Sequence, residues 1–291
     1  MIVRDEPNIA RTIASVRSWI DSWVVLDTGS TDGTPEVVEK ALRDDGIYLG
    51  AGERAPPLIR GKLVRENFVP YKPFLPERRV IDYAATRNRV LDLHGGVEIS
   101  ASYFPGGARP ATFTLSLSGD ETLEGGGLLR AYLAEHQDDP AGAYCIEVRS
   151  GSQRWFYPRV LRTASGWRYR GPIHEVPRGP NGESSGPLIP GVRIVHALSD
   201  PARRFWRMHT VDLPILEHIL ETTTGEDREA AIWNLAQTHE ALADEKSREP
   251  GGAWLSHKMA AMAFYRRYSE LGAADQTKTH YAIFRYLNVA E

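Results

Sequence analysis

The chain has 291 residues, with 35 Lys and Arg against 38 Asp and Glu, a formal net charge of −3 and 42% hydrophobic residues. That length and apolar content suffice for one large domain with a real core and a smaller appendage, and the near-balanced charge excludes a global basic field for extended nucleic-acid binding. The lone Cys145 excludes an intramolecular disulfide framework and a cysteine-built zinc site, and the alternation Tyr144-Cys145-Ile146-Glu147-Val148 places it in a strand core. With no apolar run near membrane-spanning length and no signal-like segment, a soluble, cytoplasmic protein without a membrane span is expected.

Met1-Ile2-Val3 reads as a short strand that ends in charge at Arg4-Asp5-Glu6. A helix follows, with Ile9, Ile13, Val16 and Ile20 on one stripe. Val24-Val25-Leu26-Asp27 is a buried strand with an aspartate at its carboxyl end, and a Gly-rich polar turn, Thr28 to Gly33, leads to a second helix. Thr34 is its predicted N-cap, Pro35 its first residue and Glu36 a first-turn acid, before the apolar face of Val37, Val38, Ala41 and Leu42. Strand, acidic turn, helix is an arrangement that suits a nucleotide, because ligands of open α/β sheets sit outside the carboxyl ends of the strands. The words IVRDEPN and DTGSTDGT, in this order and spacing, resemble the start of family-two glycosyltransferases of the GT-A fold. The resemblance implies an α/β, Rossmann-like nucleotide-sugar-binding domain in which Asp27, with Asp5 or Glu6 nearby, holds the base and ribose.

Residues 44 to 80 are rich in Pro, Gly and Arg and read as a long excursion with no compact crossover. Helical spacing returns over 80 to 91 and places Arg87 and Asn88 on a helix. The stretch from Leu93 to Thr112 is irregular and carries an expected hairpin. The resembling family has a similar aromatic, small, Arg-Asn word before its metal motif, which implies a diphosphate or base contact for Arg87, a part its planar guanidinium suits. Both irregular stretches exceed the family's usual length and are expected to border the acceptor.

Thr112 to Glu121 reads as a strand ending in two acids. Relatives end this strand in Asp-any-Asp and hold there a divalent cation that bridges the two phosphates of a sugar nucleotide. Here Ser118 replaces the first aspartate and Asp120 keeps the second. Oxygen ligands suit Mn²⁺ or Mg²⁺, which keep waters elsewhere, so one carboxylate plus a diphosphate is chemically adequate. Further on come a strand at Trp155 to Arg162, the word Gly171-Pro172-Ile173-His174-Glu175, and a strand that ends in His196. The resemblance implies that Glu175 is the catalytic base, with His174 beside it as the other candidate, and that His196 completes the metal shell.

From Asp200 the pattern is helical, with apolar and small residues in three amphipathic helices around Trp233, Tyr265 and Tyr286. They resemble about one and a half tetratricopeptide repeats, and their aromatic stripe is expected to be core. The expected organisation is a catalytic domain over 1–200 and an all-α appendage over 201–291 that offers a contact to a partner or a second copy. The implied activity is metal-assisted, inverting transfer of a hexosyl or related sugar from a nucleotide sugar, UDP-linked by expectation, to a hydroxyl of a glycan, a protein or a modified nucleic-acid base. Two other readings stand beside it: a non-catalytic sugar-nucleotide or partner-binding protein, and a nucleotidyltransferase.

Overall fold

The structure, a computed structural model, describes residues 1–43, 60–67, 82–95, 98–99, 109–197, 201–246, 253–272 and 276–289. The chain divides into two compact units, Met1–Leu198 and Ser199–Glu291.

The first unit is mixed α/β. Strand β1 (Ile2–Val3), helix α1 (Ile9–Val16), strand β2 (Ser22–Asp27) and helix α2 (Thr34–Arg43) follow one another as the hydrophobic periodicity predicts. Ile9, Ile13 and Val16 are buried on α1, and β2 is buried from Trp23 to Asp27, as expected of a strand covered on both faces. The predicted cap of α2 is displaced by one residue. Val37 N–H bonds the Gly33 carbonyl at 3.0 Å, so Gly33 is the N-cap, while the Thr34 hydroxyl accepts the Glu6 N–H at 2.9 Å.

Within the excursion of 44 to 80 the structure contains a strand, β3 (Arg60–Arg65), paired in parallel with β2 in the order β1-β2-β3. Arg60-Gly61-Lys62-Leu63-Val64-Arg65 has too few apolar residues to announce a strand. An edge strand needs few, and charge on it discourages pairing with other chains. The Pro-rich words at 55–57 and 70–79 lie outside the described residues.

Helix α3 (Tyr83–Gly95) carries Arg87 and Asn88, and the expected hairpin is present as β4 (Glu98–Ile99) paired antiparallel with β5 (Arg109–Pro110). Then come β6 (Phe113–Leu115), β7 (Glu121–Glu124), α4 (Gly126–Glu135), β8 (Ala143–Ser150), β9 (Gln153–Arg162), β10 (Arg168–Arg170), β11 (Val176–Arg178) and β12 (Leu188–His196). A five-stranded sheet is ordered β6-β9-β8-β12-β7, with β8 and β12 parallel and its other pairs antiparallel. An isolated bridge between Ile2 and Ser118 joins β1 to the segment that runs from one edge of this sheet to the other. The core lies between the sheets and helices, with Tyr144, Ile146, Val160 and Ile194 at its centre and Cys145 buried beside them.

The second unit contains α5 (Pro201–Arg207), a π-helical turn (Met208–Asp212), α6 (Leu213–Thr222), α7 (Gly225–Lys246), α8 (Ala253–Glu270) and α9 (Gln276–Val289). Ile232, Ala236, Ala261, Tyr265, Tyr268 and Ala282 form its core. The expected stripe is only partly core: Met259, Phe284 and Leu287 are more than half exposed. Small residues at Ala261 and Ala282 let the helices close on Tyr265, which leaves the larger side chains of α9 outside. Among the described residues no helix is long and apolar enough to cross a membrane.

Candidate functional site

The carboxyl ends of β1 and β2 are tied together by their own acids. Asp27, buried, accepts the Ser30 N–H at 3.0 Å and the Ser30 hydroxyl at 2.6 Å through Oδ1. Asp5 accepts the Thr31 N–H at 2.7 Å, the Thr31 hydroxyl at 3.2 Å and the Asp32 N–H at 3.2 Å, and its own N–H bonds the Ser30 hydroxyl. These bonds, the Thr31 N–H first, hold its carboxyl below the usual range against the opposing effect of desolvation. Asp5 does this from a left-handed backbone, φ 46°, a conformation that short polar side chains tolerate best. Glu6 turns back to accept the Asn8 N–H at 3.1 Å, next to the start of α1. The acids expected around base and ribose thus come together at the ends of β1 and β2, where they bond to the chain's own backbone and hydroxyls.

Ser118, Gly119 and Asp120 do not extend a strand. They form a turn between β6 and β7, and Glu121 opens β7. The turn is fixed against β1 and α1: the Thr12 hydroxyl bonds the Gly119 carbonyl at 2.5 Å, and a Cβ on Gly119 would stand 2.7 Å from Glu6 Cγ. This brings the Ser118–Asp120 turn to the same sheet end as Asp5 and Asp27.

A continuous polar cluster spreads from this turn. His196 Nε2 lies 3.0 Å from Asp120 Oδ2. The hydrogen bond to Asp120 raises the His196 pKa against the opposing effect of burial, and burial pushes Asp120 up while the His196 contact outweighs it and lowers the carboxyl. Glu121, 2% exposed, takes both Arg159 terminal nitrogens, at 2.6 and 3.2 Å, and the Ser118 N–H at 2.7 Å. Arg87 Nε bonds Glu175 Oε1 at 2.5 Å, its Nη2 reaches the Ser118 hydroxyl at 3.3 Å, and its guanidinium lies over the Tyr169 ring. Burial works against the Arg87 charge, and Glu175, with Tyr169 and Glu121, more than offsets it, so Arg87 is held cationic. The Tyr157 hydroxyl bonds the Glu175 carbonyl at 2.6 Å. His174, exposed, adopts φ 50° beside Glu175.

No family model matches this chain, and no curated protein matches it significantly. The site is therefore judged on its own chemistry. Among the described residues no group of three or more His, Cys, Asp and Glu side chains is placed to hold a metal ion. Asp120 and His196 bring one oxygen and one nitrogen donor within 3.0 Å of each other, bonded to one another. Such a pair fits a hard or borderline cation that takes its remaining ligands from a substrate and water.

Four residues of the cluster were given no role by the sequence reading. Arg159 and Glu121 form a buried, two-pronged ion pair, with side chains 11% and 2% exposed, that anchors the Ser118 N–H. Asn88 uses its amide to bond both the N–H and the carbonyl of Tyr169, at 2.8 and 2.9 Å, and so acts as a neighbouring strand for β10. Tyr157 was legible only as a strand residue. The spacing of Arg159 from Glu121, 38 positions, carries no signal, because sheet curvature and not helical or strand period brings them together.

Proposed function

We propose that residues 1–200 are a GT-A glycosyltransferase domain that transfers a sugar from a nucleotide diphosphate, UDP by preference, to an acceptor hydroxyl. The observation that carries this reading is the unbroken run of contacts from His196 and Asp120 through Glu121 and Ser118 to Arg87 and Glu175, beside the Asp5–Asp27 turn. A site for this reaction needs cationic groups where diphosphate charge grows, and a carboxylate near the acceptor.

Asp120 and His196 would hold Mn²⁺ or Mg²⁺. The cation, when bound, supplies neutralisation of the leaving diphosphate as a Lewis acid. Arg87 adds a fixed positive charge next to Ser118. Arg87 orients the Glu175 carboxylate through Oε1, and an ionised carboxylate keeps lone pairs on both oxygens that can accept a further hydrogen bond. Glu175 then takes the proton of the acceptor hydroxyl. The hydroxyl oxygen bonds the anomeric carbon from the opposite face, and the bond to the diphosphate oxygen breaks with its electron pair, giving inversion.

A second reading, a sugar-nucleotide-binding protein without turnover, draws on Ser118 in the first metal position and on the pairing of Asp120 and Glu175 with their own neighbours. A donor screen for nucleoside diphosphate release, with and without Mn²⁺, tests the proposal. Release that needs Mn²⁺ and Asp120 supports transfer, UDP binding without release with any acceptor supports the second reading, and absence of binding to every nucleotide sugar overturns both.

A further inference from the structure

Far from the Asp27 turn, at the amino end of β2, a cavity of about 330 Å³ opens between the two sheets. Its walls are more apolar than polar, with Ile13, Val16, Phe113 and Leu117 among them, beside Ser22, Thr112, Gln137 and the Met1 amino group, which donates to the Val24 carbonyl. Its two charged lining residues, Asp21 and Arg130, are ion-paired with each other and are 40% and 49% exposed, which puts them at the rim. His94 also lines it, with Nδ1 3.0 Å from the Thr114 hydroxyl and Nε2 3.3 Å from the Ser22 hydroxyl. Burial drives its pKa down to about 4, so the ring is neutral at physiological pH.

Trp23 supplies the decisive group. Its side chain is 5% exposed and lines the cavity, yet among the described residues its indole N–H has no acceptor. Gly61 lets the ring lie flat on β3, since a Cβ there would stand 2.4 Å from Trp23 Cδ2. A buried donor without a partner is costly, and native structures normally supply an acceptor. The volume is at the lower end of the range for small-molecule sites, which are mostly apolar with a few placed polar groups.

We propose that this cavity is a second binding site, which takes an uncharged apolar molecule bearing one hydrogen-bond acceptor, such as a ketone or ester carbonyl, with Trp23 as its donor. The site is separate from the nucleotide cluster and does not depend on the glycosyltransferase reading.

The test uses the full chain, ¹⁵N-labelled, titrated with 2-nonanone and, separately, with nonane. The Trp23 indole cross-peak, assigned among the seven tryptophans by Trp23→Phe, should move downfield and saturate with the ketone and show no such hydrogen-bond shift with the alkane. Trp23→Phe should weaken ketone binding about fivefold, the size of one hydrogen bond, and leave alkane binding unaltered. Ala111→Trp, which adds bulk from a half-buried position on the wall, should abolish both. Failure of either probe to saturate, as when the chain's own residues fill the space, overturns the proposal, and so does ketone affinity that Trp23→Phe leaves unchanged. Should Trp23→Phe not fold, the wild-type comparison of ketone with alkane decides alone: no indole resonance that answers only to the ketone refutes it.

Discussion

From sequence alone, Glu175→Gln is expected to lower acceptor transfer by roughly 10²-fold or more and leave the melting temperature nearly unchanged. The Arg87 contact reverses the second half of that expectation. Arg87 and Glu175 are 16% and 13% exposed and bonded at 2.5 Å, so the pair is buried, and removing one partner of such a pair costs about 3–5 kcal/mol because the other is left as an uncompensated charge. Glutamine keeps an acceptor at the Oε1 position but loses the charge, which points to the lower end, about 3 kcal/mol. For a unit of this size each kcal/mol is worth about 2–4 °C, so the unfolding temperature should fall by roughly 6–12 °C. Differential scanning calorimetry of wild type, Glu175→Gln, Glu175→Leu, Arg87→Met and Arg87→Met/Glu175→Leu measures it. The apolar double variant should lose much less than the sum of single losses, with a coupling of about 2 kcal/mol or more. Nucleoside diphosphate release, assayed where circular dichroism shows each variant folded, should fall by roughly 10²-fold in Glu175→Gln. Single losses under about 0.5 kcal/mol that simply add would show a screened, surface-like pair and refute the reasoning.

Gly61→Ala would place its Cβ 2.3 Å from the Trp23 carbonyl oxygen; it should lower the urea midpoint by the equivalent of about 1–3 kcal/mol, whereas Gly95→Ala, with open space around the new atom, should not. The His196–Asp120 pair gives a pH signature. His196 titrates above its ordinary 6.5 when folded and Asp120 below 3.8, so the pair's stabilisation is full between those values and is lost as pH rises through the raised His196 value; melting temperatures from about pH 5.5 to about pH 8.5 should show a decline that His196→Gln removes. Mn²⁺ affinity should run the other way and rise over the same interval as the proton leaves. Ser118→Asp sets a carboxylate beside Arg87 and near Asp120 and should tighten Mn²⁺ binding by about tenfold by calorimetry; unchanged affinity would place residue 118 beyond the cation's reach.

The first 43 residues were legible because two independent periodicities alternate there without interruption, and the hydrophobic period fixes both element type and buried face. β3 was hidden for a physical reason: an edge strand draws its stability from main-chain bonds to β2, and its polar side chains leave no alternation to read. α9 misled in the opposite direction, because a helix with apolar residues on two faces gives the same composition whether one face or both are covered. Only the packing of Ala282 against the Tyr265 layer distinguishes the buried face from the exposed Phe284 and Leu287.

The site shows where residue-type reasoning stops. Asp5, Asp27, Arg87, Asp120, Glu175 and His196 were singled out as if each faced a ligand, yet every one of them already has a partner inside the protein. Sequence identifies groups able to bond phosphate, ribose or a cation. It does not say which bonds they make first. A pairing such as Arg87–Glu175 joins residues 88 positions apart through two elements, a helix and the loop after β10, whose approach is set by apolar contacts of Ala84 with Trp167 and Tyr169. The polar cluster is thus a consequence of where hydrophobic layers close, and its preformed internal bonds fix the cost that any incoming diphosphate or cation must offset. An anion that reaches Arg87 must compete with Glu175, and a cation that reaches Asp120 and His196 must displace the proton shared between them.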